Sequence, residues 1–208
     1  MSGSTIEAFI GRLSQGHYFP GQRLTEQSII DDFQISRGSA RLLLQNLHAA
    51  GLVEIHKHKG ASIRRYTDSE IGDIFLIRQR LEGLAARLAA ENFDENHFVE
   101  HHALLKKVIS DAFDDTSFRQ ANKMFHAAIL DLSQSTSLRR VIESMVIPMQ
   151  HIQIRAFVNE GYEVASKQEH RDIAQAILDK DAEAADRLMQ AHIDNARLRI
   201  QSLKIVSE

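Results

Sequence analysis

Residues 20–66 read PGQRLTEQSIIDDFQISRGSARLLLQNLHAAGLVEIHKHKGASIRRY. The turn pair Pro20-Gly21 breaks the chain, and Thr25 then stands before Glu26, Ser28, Ile29 and Ile30 as an N-cap, which predicts a short helix to about Phe33. A tight turn at Gln34-Ile35 follows, and Ser36 caps a second helix. In that helix Ala40, Leu43, Leu44, Leu47 and Ala50 recur at three and four residues until Gly51 stops it, which is the pattern of a buried stripe. Arg37, Arg41, Gln45 and His48 share the same spacing on a neighbouring polar face. Beyond Gly51, Leu52 to Ile55 alternates like a strand, His56 to Gly60 makes a basic turn, and Ala61 to Arg64 reads as the returning strand. Two helices joined by a tight turn and followed by a hairpin form a winged helix-turn-helix. Upstream, Ile6, Phe9, Ile10 and Leu13 supply one more amphipathic helix, ending before Gly16.

Such a unit places its second helix in a major groove, with the first turns at the base edges. Arg37 and Arg41 are therefore the base-reading candidates, because a guanidinium bonds guanine bidentately. Ser36 and Gln45 lie beside them on the same approach. Arg23, Lys57, Lys59 and Arg64 are placed as phosphate contacts, which position a protein on the duplex and make its binding salt dependent. Charge agrees with this division. Residues 1–66 carry eight Lys or Arg against five Asp or Glu, a net +3, whereas the remainder carries −6 within a chain total of −3.

These residues resemble a known family. The segment Pro20 to Glu26, then Ile35-Ser36-Arg37, Arg41, Leu47, Ala50-Gly51-Leu52-Val53 and Lys59-Gly60, is similar to the GntR-type winged helix of bacterial transcription regulators. The resemblance implies that Arg37 and Arg41 contact DNA and that Gly60 is the wing tip, reaching toward the minor groove. Where the family usually has Thr-Pro-Val between those arginines, this chain has Gly38-Ser39-Ala40, so operator sequence does not transfer.

The rest of the 208 residues reads as helix almost throughout. With 10 Gly and 2 Pro in the whole chain, punctuation for an all-β fold is lacking, and 43% hydrophobic against 25% charged residues exclude disorder. Thr67 to Glu70 forms a capping box for a long helix to about Asn92, and Asp94 opens the next. Further helices are predicted near 94–113, 115–133, 136–159, 163–180 and 182–203, with Pro148 kinking the one that contains it. The fold class is thus mostly α: a winged helix-turn-helix domain over 1–66 and an antiparallel bundle of about six helices over 67–208. No Cys is present, which excludes disulfides, thiolate catalysis and cysteine-based metal centres. No apolar run is long enough to span a membrane, and the start MSGSTIEAFIGRLSQGHYF lacks a secretory pattern, so a cytoplasmic location is expected.

Polar residues on the apolar stripes of the bundle carry its chemistry. Asn122 and His126 are four apart beside Phe125 and Ile129; His170 heads a series with Ile173 and Ile177; His192 lies with Leu188, Met189 and Ala196. One at a time, each histidine fits a hydrogen-bonded core residue equally well. Together they form a nitrogen and oxygen set for a divalent cation, zinc or nickel first. Asn122 to His126, Glu169-His170 and His192-Ile193 resemble the metal motif of the FCD ligand-binding domain, which accompanies one GntR subfamily, the FadR type. That family has Asp at the position of Asn122, so the neutral amide here implies a weaker oxygen ligand. Arg78 reads either as an i,i+4 ion pair with Glu82 or as a fork for an effector carboxylate, and Asn195 joins it as an effector-binding candidate. His97, His101 and His102 have metal-like spacing but lie among Glu95, Glu100, Lys106 and Lys107, which makes a solvated face.

The resulting expectation is a non-enzymatic, homodimeric repressor that binds an inverted-repeat operator in double-stranded DNA and responds to a small organic-acid or sugar-acid effector. Two rivals stand beside it. One is a metal-dependent hydrolase built on the three histidines, although no HExxH pair, nucleophile elbow or P-loop appears; the other is a regulator whose bundle only dimerises.

Overall fold

The computed structural model describes residues 2–14, 16–56, 60–112, 117–153 and 160–202, apart from the side chains of residues 2–4, 14, 146–153 and 160–162. These residues divide into two units, one running to Thr67 and the other starting at Asp68, with the last turns of the helix over 136–153 grouped with the first.

The first unit is built from α1 (Ser2–Ser14), β1 (Arg23–Leu24), α2 (Glu26–Phe33), α3 (Arg37–Ala49), β2 (Val53–His56) and β3 (Gly60–Ile63). Thr25 caps α2 by accepting from the Ser28 amide, and the Ser28 hydroxyl accepts from the Thr25 amide in return. Gln34 takes the left-handed conformation that ends α2, and Ser36 accepts from the Ser39 amide to start α3. The chain thus turns sharply between two capped helices. Ala40, Leu43, Leu44 and Leu47 are buried as their spacing predicted, against Phe9, Leu13, Ile29 and the wing residues Leu52, Val53 and Ile63. Phe9 stacks on Tyr18 with ring centroids 4.7 Å apart, and the Tyr18 hydroxyl donates to Asp32 at 2.7 Å, which ties the turn after α1 to α2. The wing is antiparallel, with Val53 opposite Ile63 and His56 opposite Gly60. It carries a third strand that the sequence did not announce. Arg23 and Leu24 pair with Ser62 and Ala61, so β3 lies in the middle; two residues are too few to show an alternation.

The second unit holds α4 (Asp68–Asn92), α5 (Val99–Ser110), α6 (Phe118–Leu132), the first turns of α7 (Thr136–Gln153), α8 (Glu160–Leu178) and α9 (Ala182–Ser202). Its long central helix, α4, packs mainly on α9, then on α6 and α8. The close approach of α4 to α9 depends on Gly83, where a Cβ would lie 2.4 Å from Asp186 Oδ1 and 2.7 Å from Gln190 Cγ. Ala85, Ala86, Ala89 and Ala90 are buried along the same helix.

Asp94 does not open α5. It accepts from the Asn96 amide in a local turn, and the helix begins five residues later at Val99. The Asp side chain satisfies a nearby amide in a turn as readily as at a helix start, which is why the sequence left the two indistinguishable. Pro148 lies within α7, which runs to Gln153; residues 154–159, expected in the same helix, lie outside the described ones. Among the described residues no helix is long and apolar enough to cross a membrane.

Candidate functional sites: a nucleic-acid face and a histidine centre

The polar face of α3 is presented as its caps dictate. Ser36, Arg37, Arg41 and Gln45 are all exposed, and Arg23 is exposed on β1. Gly60, at the start of β3, has φ of +85° in the left-handed region that favours glycine, so the chain can turn there into the returning strand. Lys57 and Lys59 lie outside the described residues. His48, though on the same face, contacts the wing, its Nδ1 lying 2.9 Å from the Val53 carbonyl.

The residue missing from the sequence reading is Glu26. Its carboxylate accepts from Arg41 Nε at 3.0 Å and from Arg41 Nη2 at 3.4 Å, and Arg37 Nε lies 3.7 Å away. The hydrogen bond from Arg41, with the charge of both arginines, lowers the carboxyl pKa. One acid on α2 therefore gathers the two arginines of α3. Nothing local marks a pairing across 15 residues and a turn; the only available signal was that an acid at the first position of α2 must face the start of α3 once the two helices close on a tight turn.

In the second unit α6, α8 and α9 bring His126, His170 and His192 together, with ligand nitrogens all within 4.8 Å of one another. His126 and His192 are oriented from behind. Glu82 on α4 lies 2.8 Å from His126 Nδ1, and Glu169 on α8 lies 2.7 Å from His192 Nδ1. Burial opposes ionisation of Glu82, but Arg78 and His126 outweigh it and bring the carboxyl down to about 2. Burial likewise opposes ionisation of Glu169, while His192 and Arg199 bring it to about 2. An ionised carboxylate only accepts, so the Nδ1 of each imidazole carries the proton and Nε2 keeps its lone pair. His192 Nε2 then faces His170 Nε2 at 3.3 Å. Two nitrogens at zinc–nitrogen bonding distance from one tetrahedral ion are about 3.3–3.4 Å apart. Burial holds the pKa of His170 well below its ordinary value, and that of His192 below its own, so both favour the neutral form a cation needs. Three ligand nitrogens gathered within 4.8 Å, two of them on imidazoles backed by a carboxylate, fit a divalent cation.

The neighbouring candidates sit around this centre. Arg78 is buried and makes the i,i+4 pair, with Nη2 and Nε both 2.7 Å from Glu82 Oε1. Asn195 donates to Glu169 at 2.9 Å, and Arg199 donates to the same carboxylate. Asn122 is half-buried one turn before His126. The other histidine group stays apart: His101 lies 3.2 Å from Asp131, and His97 packs edge-on against Phe98.

Comparison with known proteins matches both units. Residues 73–195, more than half of the chain, match the FCD domain, and residues 4–63 match the bacterial regulatory proteins of the gntR family. The chain belongs to the GntR family. It is a DNA-binding transcription regulator of the branch that carries an FCD domain, and not an enzyme. A Bacillus subtilis HTH-type transcriptional regulator, YdhC, is 27% identical over 183 residues, 86% of this chain and 82% of that protein. A probable D-xylose utilization operon transcriptional repressor of Paenarthrobacter nicotinovorans is also 27% identical, over 87% of this chain and 80% of that protein. Of solved structures, E. coli McbR/YncC superposes with a TM-score of 0.77 at 20% identity, over 98% of each chain. A GntR regulator from Rhodococcus sp. RHA1 superposes at 0.73 and 20%, over 97% of each. The fold is thus the family's, and the three-histidine cluster lies within the FCD match.

Proposed function

We propose that this regulator is a cytoplasmic, homodimeric repressor that reads an inverted-repeat operator with α3 and releases it when a small organic acid, a sugar acid included, binds beside a divalent cation in the FCD domain. The observation that carries this reading is the histidine centre, with its three ligand nitrogens, two backing carboxylates and burial. When bound, a zinc or nickel ion would supply positive charge that attracts a carboxylate. His126, His170 and His192 would hold the ion, and Asn122 would offer a neutral oxygen.

The protein's own groups do the rest. Glu82 and Glu169 fix the imidazoles, Arg78 and Asn195 brace those carboxylates, and the bundle excludes water around them. On the DNA side, Arg37 and Arg41 read base edges, Ser36 and Gln45 flank them, and Arg23, Lys57, Lys59 and the Gly60 wing contact the backbone. Two such units about one helical turn of DNA apart account for an inverted repeat. The relative named as a probable repressor supports the sign of regulation.

Selecting bound duplexes from a random DNA pool tests the first half, and the expected product is an inverted repeat; absence of any consensus would contradict it. Metal analysis of the purified protein tests the second. One bound ion per chain is expected, and none after joint replacement of His126, His170 and His192 by Ala with operator binding of the winged unit retained. Unchanged metal content would place the site elsewhere.

A further inference from the structure

Turning through about 100° per residue, α3 places Gly38, Leu42, Gln45 and Ala49 on the side opposite its buried stripe of Ala40, Leu43, Leu44 and Leu47. All four are exposed. They form the middle of the face that a recognition helix turns to the groove. Arg37 and Arg41 stand at its margin, drawn to the Glu26 carboxylate of α2. Ser36 and Ser39 are joined to each other at the start of the helix, their hydroxyl oxygens 2.9 Å apart. Between these polar margins the largest side chain is an apolar one, Leu42, which is 50% exposed.

Neither Gly38 nor Leu42 serves the packing of the winged unit. Leu42 is not among the side chains of its core. A Cβ added at Gly38 would meet only the Ser36 hydroxyl, at 3.9 Å, and Gly38 is not one of the glycines with positive φ. No close approach and no left-handed turn therefore requires glycine there, although glycine weakens a helix relative to alanine. Four residues apart, the two positions lie one above the other on the helix, so the missing side chain leaves a recess one turn before an apolar one.

We infer that Gly38 and Leu42 form an apolar slot for the 5-methyl group of a thymine, and that each operator half-site carries a required thymine among the bases that α3 covers. This rests on the reading of α3 as the recognition helix. In the major groove the methyl group of thymine is met by apolar side chains, as the O6 and N7 atoms of guanine are met by arginine. Leucine thus selects a base that the two arginines do not. Gly38 stands where the related winged helices usually have Thr, and the loss of that side chain opens the slot.

The test uses the full-length protein and the operator selected from the random pool, with deoxyuridine replacing thymidine at one symmetric pair of positions at a time, a change that removes only the 5-methyl group. At one position in each half-site the replacement is expected to weaken wild-type binding about fourfold for each uracil, the ratio that one buried methyl group gives. Leu42→Ala is expected to bind the thymine operator more weakly and to bind thymine and uracil duplexes equally, with a melting temperature and oligomeric state close to wild type. Gly38→Ala, whose added methyl group fills the recess, is expected to lose the same preference with a melting temperature no lower than wild type. A selected operator without thymine under α3, a wild type indifferent to every uracil, or a preference that survives in either variant would overturn the slot and leave the arginine reading standing. A changed oligomeric state in Leu42→Ala would assign Leu42 to a contact between two copies of the chain and overturn it as well. No consensus from the pool would overturn the recognition-helix reading, and the slot with it.

Discussion

At the scale of single residues, the DNA-reading face turns on a carboxylate. Arg41 gives Nε and Nη2 to Glu26 and so offers its remaining donors in a fixed direction, with less side-chain entropy left to lose on meeting a base. Arg37→Ala and Arg41→Ala are each expected to lower preference at a defined base pair by about 1–3 kcal/mol, measured by competition between the selected operator and its single-base variants. Glu26→Gln separates orientation from charge. It removes a negative charge facing DNA, so binding to random duplex should strengthen, yet preference for the operator should fall about tenfold. In an Arg41→Ala background the same change should leave preference untouched. Uniform strengthening on all duplexes in both backgrounds would mean that Glu26 acts only as a repelling charge.

Elements were legible in the sequence wherever the deciding signal was local. Thr25 and Ser36 as caps, the Ala40 to Leu47 stripe and the Gly51 stop belong to single helices, and the structure shows each in place. Local signals failed where two elements had to meet. β1 is recognisable only through its pairing with β3, and Asp94 satisfies a turn as easily as a helix start. The three histidines were found because each sits on a predicted apolar face. Their backing by Glu82 and Glu169 depends on packing between helices, which spacing along one helix does not reveal.

Packing between α4 and α9 sets that geometry, and Gly83 permits it. Gly83→Leu should force α9 outward from Asp186 and Gln190, with a loss of roughly 1–3 kcal/mol in urea unfolding and reduced metal content. Full metal content with unchanged stability would remove the close approach from the account. In the first unit, burial and the Asp32 hydrogen bond push the Tyr18 hydroxyl above its ordinary range. The folded state therefore keeps a proton that the unfolded chain releases above pH of about 10. Its contribution is complete below that pH and is lost as pH rises further. Tyr18→Phe should flatten the fall of melting temperature between about pH 10 and 11; an unchanged slope would remove Tyr18 as its source.

For the molecule as a whole, the two units carry different chemistry: a positively charged winged unit that reads DNA, and an acidic bundle with a buried histidine centre. Regulation requires that a ligand of the second change the affinity of the first, and a ligand shifts such an equilibrium only by its differential affinity for the two states. Typical couplings between sites are about 1–3 kcal/mol, or 5- to 150-fold in affinity. The most direct measurement is an anisotropy titration of the selected operator with the zinc-loaded protein, with and without saturating lactate or malate, repeated on the triple His126, His170 and His192 to Ala variant. At least fivefold weaker operator binding is expected with the acid on the wild type, and no change on the triple variant. Operator affinity unaffected by either acid, or weakened equally in both proteins, would contradict control of the winged unit through the histidine centre.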